Sequence, residues 1–301
     1  MRRFVYKVLL FMAAIVVVDF CFGFGARYIQ AHAKGGATER NQYVNKKMDA
    51  DMVFFGSSRC VHHYVPKIFE DSLHVSCYNA GSDGNGIISQ YARLKMMLSR
   101  YTPKIIVYDV NANFDLLVGD NTKYLSDLRT YCDEPGVDSV IYSVDSNERF
   151  KLKSMMYRYN SIWLQMLSDN IRPLSSDEKG FVGVNRIMKQ KPANAKKSYK
   201  VVQYDSLKLY YLESFITECK KNGIRLTFSF SPMYAIGDQT VFGPIKVLAT
   251  KYRIPILDHY KDRRFTSRAD YFYDSVHMNK TGAYAFSSLI ANEISSIINQ
   301  I

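Results

Sequence analysis

Apolar residues first gather at the N-terminus. From Val8 to Ala26 the only charged side chain is Asp19, and Arg2, Arg3 and Lys7 precede the run. Its length matches a bilayer span, about 20 residues. A basic flank stays on the cytoplasmic side, which predicts a single-pass helix in the cytoplasmic membrane with the rest of the chain outside the cytoplasm. A cleaved signal peptide would need a small-residue cleavage site. Here bulky Phe22 and Phe24 interleave with Gly23 and Gly25, and an uncleaved anchor over residues 1–29 is the better reading. A lipoprotein signal is disfavoured too, because Phe20 stands directly before Cys21. Asp19 is costly inside such a run unless it lies near the headgroups, stays protonated or meets a partner, for which another membrane protein is one candidate.

Residues 30–50 are small and polar and read as a linker, with a short amphipathic helix expected over 39–50. The pattern then changes. "MVFF" is a short buried strand, "PKIFEDSL" a helix with Pro66 near its start, and "VSCYNAG" a second strand running into the glycine-rich turn "GSDGNG". "IISQYARLKMMLSRY" repeats apolar residues at helical spacing and "PKIIVYDV" is a third strand. The alternation resumes with the helix "YDSLKLYYLESFITECKKNG", the strand "IRLTFSFSP", the helix "GPIKVLATKYR", the strand "IPILD" and a closing helix that starts at Asn279 or Thr281. Strands alternating with helices predict a three-layer α/β domain around a five-stranded parallel, flavodoxin-like sheet, built from 51–118 and 201–301. Between the halves, over 119–200, the alternation stops. This mainly helical insert gathers tyrosines and basic residues, and its last part, 179–200, holds seven Lys/Arg and no Asp/Glu. It is either a lid or substrate-binding region or a solvated loop.

Composition adds limits. With 47% hydrophobic and 23% charged residues in 301, the chain is globular rather than disordered. A net charge of +12 favours an anionic partner. There is no zinc-knuckle, helix-turn-helix or RNA-binding pattern, so nucleic acid is not expected. If Cys21 lies in the membrane, Cys60, Cys77, Cys132 and Cys219 are an even number outside it, and disulfides are allowed but not implied. No CxxC or Cys/His spacing suggests a metal site, and no cofactor is expected.

In open α/β sheets ligands bind beyond the carboxyl ends of the strands. Those ends carry Gly56, Ser57, Ser58 and Arg59; then Asn79, Gly81 and Gly84; then Asp109, Asn111, Asn113 and Asp115; then Ser229 and Ser231; then Asp258 and His259. Just before the last helix come Asp274 and His277. Acyl transfer needs a serine hydroxyl, a base for its proton, a carboxylate to orient the base, and donors for the developing oxyanion. All of these residue types are present. His62 and His63, adjacent in sequence, are read as surface or packing residues, since neighbours do not both face one site.

"FFGSSR", "YNAGSDG", "DVNANFD" and "YDSVHMN" resemble the four blocks of the SGNH (GDSL-like) hydrolase superfamily. The resemblance covers most of 51–118 and 201–301. "GSS" departs from the usual "GDS" and is similar to a membrane-anchored branch that includes proteins of polysaccharide O-acetylation and of D-alanyl transfer to teichoic acids. The resemblance implies that Ser58 is the nucleophile, His277 the general base and Asp274 its orienting partner. It also implies an oxyanion hole of the Ser58 and Gly81 N–H groups with an asparagine, Asn113 or Asn111. The usual "GxND" lacks a clear counterpart in "DVNANFD". The function implied is a serine esterase or O-acyltransferase acting outside the cytoplasm on a cell-surface polysaccharide or other acylated glycan, with a membrane-bound acyltransferase as a candidate partner. The alternative is a non-catalytic binding or scaffold subunit on the same fold.

Overall fold

The computed structural model describes residues 1–173, 178–189, 202–235 and 237–299. Two compact units are present: Met1–Lys47 with Asn121–Ser175, and Met48–Asp120 with Ser176–Ile301.

The second unit is the α/β domain. Five parallel strands, β1 (Met52–Gly56), β2 (Cys77–Asn79), β3 (Ile105–Asp109), β4 (Arg225–Phe230) and β5 (Ile256–Asp258), lie in the order β2-β1-β3-β4-β5. β1 and β3 are buried along their whole length, as a parallel sheet covered on both faces requires. Alternate residues serve opposite faces. Phe55 and Tyr108 meet Phe215 of the helix Ser206–Lys221 edge to face. Met52, Phe54 and Val107 pack with Phe69, Phe286 and Ile290 beneath the helices Pro66–Leu73 and Lys280–Asn299. Each phenylalanine buried in this way contributes about 1.5–3 kcal/mol. The helices begin where local chemistry allows. Asp205 accepts the Leu207 and Lys208 N–H groups, and Asn279 accepts that of Gly282, so Asn279 starts the closing helix.

The strand order reverses between β1 and β3, and in this topology the crevice for a ligand opens there, at the carboxyl ends of the strands.

The first unit holds the helix Arg2–Ala31, which is long and apolar enough to cross a membrane, and the helix Gly36–Lys46, which occupies the stretch read as a linker. Asp169 accepts the Thr38 N–H and hydroxyl at 3.0 and 2.7 Å and so holds the start of Gly36–Lys46. Residues 119–200 do not fold as one piece. The part up to 173 belongs with these helices, and 178–189 belongs with the α/β domain, where Phe181 is fully buried and Asn79, Val182 and Lys280 exchange backbone bonds with Lys179, Val61 and Val184. Most of the basic end of that stretch, 190–200, lies outside the described residues.

Candidate active site

β1 ends in Gly56 with φ at +148°, where a Cβ would sit 2.7 Å from the Asp109 carbonyl oxygen. Only glycine fits so tight an exit. The chain turns at once into the short helix Ser58–His63. Ser57 makes no capping bond to that helix, so its side chain is not the simple cap that a serine in this position suggests. Instead its buried hydroxyl accepts from Asn111 Nδ2 at 3.2 Å, tying the ends of β1 and β3 together. Ser58 is at the first helical position, where an N–H has no intrahelical acceptor.

The loop between Phe272 and Asn279 brings the remaining groups. It is closed by a bridge between Phe272 and Met278. Ser58 Oγ lies 2.7 Å from His277 Nε2, and His277 Nδ1 lies 2.9 Å from Asp274 Oδ2. A carboxylate can only accept, so the hydrogen is on Nδ1 and Nε2 offers its lone pair to the serine hydroxyl. Burial raises the Asp274 carboxyl, but hydrogen bonds from the His277 ring and from the Val276 and His277 N–H groups outweigh it and bring the carboxyl down to about 2. Asp274 is therefore charged in neutral and mildly acidic solution.

Two further side chains hold the His277 ring. Tyr273 lies parallel to it, with centroids 5.5 Å apart, and His62 meets it edge-on at 5.5 Å while bonding through Nδ1 to the Val182 carbonyl at 2.7 Å. His62 is thus part of the site's wall, against the sequence reading. The signal was its spacing: four residues after Ser58 in a helix puts it on the same face. His63 points the other way. It is fully buried and accepts the Met278 N–H at its Nε2, a packing role as expected. Arg186 lies 5.6 Å from the Tyr273 ring centroid and brings a cation to this wall.

Of the candidate oxyanion donors, the Gly81 N–H is engaged by Asn79 Oδ1 at 3.0 Å. Asn79 is a structural pin, since its amide also donates to the Cys60 and Tyr64 carbonyls. Asn111 is buried against the serine turn, with the second hydrogen of its amide beyond the Ser57 bond. Asn113 is exposed, at the second position of the helix that Asn111 caps. Asp115 fixes Asn111 from behind by accepting its backbone N–H at 2.6 Å, and it also accepts the Tyr108 hydroxyl at 2.9 Å. Burial pushes Asp115 up to about 7 despite those donors and nearby Lys208. The sign follows: a carboxyl raised on folding favours the folded state below its unfolded value, about 3.9, and that benefit is lost as pH rises towards 7. Asp115→Asn lacks this dependence, so its cost in urea unfolding is expected to be larger at pH 4 than at pH 8.

Arg59 follows Ser58 but turns inward and is almost wholly buried. Its guanidinium donates to the Val110 and Ser231 carbonyls and lies 3.6 Å from Asp109 Oδ2. Asp109 Oδ1 accepts from Tyr64 and from the Ser231 N–H. One buried ion pair therefore knots the ends of β1, β3 and β4 under the serine. Asp258 bonds instead to Gln239 and Lys246, and His259 sits between Asp262 and Glu293, so neither joins the triad. All five cysteines are free. Among the described residues no group of three or more His, Cys, Asp or Glu is placed to hold a metal ion.

No family model matches the chain, and no curated protein matches it. Several solved structures are similar at low level. One is a protein from Bacteroides fragilis assigned provisionally to the acylhydrolases, with 13% identity and a TM-score of 0.41 over 90% of this chain and 92% of that one. Another is the acetyl xylan esterase AlAXEase, with 13% identity and a TM-score of 0.41 over 82% and 98%. A third is a Lactobacillus plantarum protein, with 13% identity and a TM-score of 0.42 over 83% and 96%.

Proposed function

We propose that the chain is an SGNH-type serine esterase or O-acyltransferase, anchored in the cytoplasmic membrane and acting outside the cytoplasm on ester-linked acyl groups of a cell-surface glycan. The observation that carries this reading is the continuous relay from Ser58 Oγ through His277 to Asp274, with contacts of 2.7 and 2.9 Å across more than two hundred residues of sequence. Residues of these types meeting in this order at a strand end are the arrangement acyl transfer requires.

The chemistry would run in two halves. Ser58 Oγ attacks the acyl carbonyl carbon as its proton passes to His277 Nε2. The tetrahedral oxyanion is met by the Ser58 N–H and the Asn111 amide. Collapse breaks the ester bond, and the departing alkoxide takes the proton from His277, leaving acyl-Ser58. Water or a sugar hydroxyl then gives its proton to His277 and attacks the acyl carbon, and Ser58 is restored with the acyl group on the acceptor. Asp274 keeps the imidazole oriented and stabilises its charged form in both halves. For a transferase, a membrane-bound acyltransferase is the proposed source of acyl groups. The cation at Arg186 and the chain's basic balance support an acidic glycan as acceptor.

The engaged Gly81 N–H favours one alternative, a binding or scaffold subunit that keeps the triad without turnover. Incubating the protein with an acetyl ester, alone and with polysaccharide acceptor, separates the readings. Acetate release identifies an esterase, acetyl groups on the polysaccharide identify a transferase, and neither from folded protein supports the scaffold. The two asparagines give a second test. Removing an oxyanion donor costs about 10²–10³-fold in turnover, and this loss is expected for Asn111→Ala and not for Asn113→Ala.

A further inference from the structure

The apolar helix does not stand free of the rest of its unit, and its contacts change at Asp19. The Asp19 carboxylate accepts the Ser154 hydroxyl at 2.7 Å and the Met155 and Met156 N–H groups at 2.8 Å each. It therefore closes the start of the helix Met155–Tyr159 from another segment of the chain. The charge that looked out of place in an apolar run has its donors inside the protein, and it needs neither water nor a second membrane protein.

Beyond Asp19 one face of the helix is covered by protein. Gly23, Ala26 and Gln30 are buried. A Cβ on Gly23 would lie 2.4 Å from Met155 Cβ, so the helices touch there without side-chain spacing. Phe22 meets the Trp163 ring at 4.8 Å, and Ala26 packs with Tyr159 and Met166. On the other faces at the same level, large apolar side chains are exposed: Phe20 at 72% and Phe24 at 73%, with Met156 and Leu164 beside the packed Met155 and Trp163. Apolar surface thus continues from the helix onto the segment that clamps it. Before Asp19 the helix is exposed and apolar nearly throughout.

We propose that helix Arg2–Ala31 and residues 121–173 form one membrane-seated platform, with Met156, Leu164 and Trp163 at the outer interface of the bilayer and Asp19 just inside it. This inference rests on the membrane reading above. It moves the span from 8–26 to Phe4–Phe22, which at 1.5 Å per residue covers about 28 Å, close to the ~30 Å of a hydrocarbon core, and puts Lys7 in the innermost turn, from where its long side chain reaches back to the headgroups. Asp19 then falls in the outermost turn of the span, where a carboxylate satisfied by three protein donors is tolerable. Tryptophan at that depth matches its preference for the interface. The occupant of the exposed patch is lipid, because the surface is continuous with the span.

The chain's single tryptophan, Trp163, reports on this directly. The full protein is reconstituted in phosphatidylcholine vesicles and floated on a density gradient, and its fluorescence is then read with brominated lipids and with aqueous iodide. The platform predicts flotation, loss of Trp163 emission with bromines near the carbonyl end of the acyl chains, a smaller loss with bromines near the terminal methyl, and protection from iodide. Asp19→Leu is expected to expose Trp163 to iodide while Ser58 still reacts with a fluorophosphonate, which shows that the α/β domain is folded. Flotation with Trp163 open to iodide and indifferent to bromine would overturn the platform and leave the anchor standing. Stronger quenching by the deep bromines would overturn the Phe4–Phe22 register. Failure to float would overturn the anchor and the platform together.

Discussion

Ser58→Ala is expected to lower ester turnover by about 10⁴-fold or more, because Ser58, the proposed nucleophile, has no neighbour able to replace it. Ser57 is adjacent, but its hydroxyl is buried and held by Asn111, so it cannot take over the attack. Asp274→Asn keeps the shape of the site but no longer requires the hydrogen on His277 Nδ1, and a loss of about 10³–10⁴-fold is expected. Because Asp274 stays ionised down to about 2, activity lost in mildly acidic solution does not come from its protonation. The check is the initial rate of acetyl ester hydrolysis by each variant, with unfolding curves as the control.

The largest effect on stability is expected one residue further on. Arg59→Leu leaves Asp109 buried without its counter-charge and two strand-end carbonyls without their donor. Breaking a buried pair from one side costs about 3–5 kcal/mol, a large part of the ~5–15 kcal/mol that holds a typical domain folded. Arg59→Lys keeps the charge but cannot span Val110, Ser231 and Asp109 with one planar fork, and an intermediate cost follows. Adding Asp109→Leu to Arg59→Leu removes the stranded carboxylate and should recover part of the loss. Urea unfolding of the detergent-solubilised chain measures all three. A single variant with unchanged unfolding would show that the knot beneath Ser58 is not a stabilising one.

What was legible in the chain and what was not divide along a physical line. The five strands announced themselves because a doubly covered parallel sheet demands unbroken apolar runs, and "MVFF" and "PKIIVYDV" are such runs. Ser58, Asp274 and His277 are picked out together by the resemblance of "FFGSSR" and "YDSVHMN" to the SGNH blocks, and their side chains lie in one hydrogen-bonded chain. The supporting contacts have no local signature. Ser57 with Asn111 and Arg59 with Asp109 join residues 50 or more apart, and each looks like an ordinary polar residue beside its sequence neighbours; Asp19 stands out in its apolar run, but nothing near it points to Ser154, 135 residues away. The sequence pattern reads 119–200 as one segment because a break in periodicity marks where a sheet stops, not which unit the next residues join. His62 was within reach of sequence reasoning, had the helix after β1 been drawn and its Ser58 face followed by one turn.

Ser58 is proposed to be an activated nucleophile. The most direct test is to react the full chain with a fluorophosphonate and map the adduct by peptide mass spectrometry. A single adduct on Ser58 is expected, and it disappears in His277→Ala. A folded protein that takes no adduct, or takes it on another residue, would contradict this role.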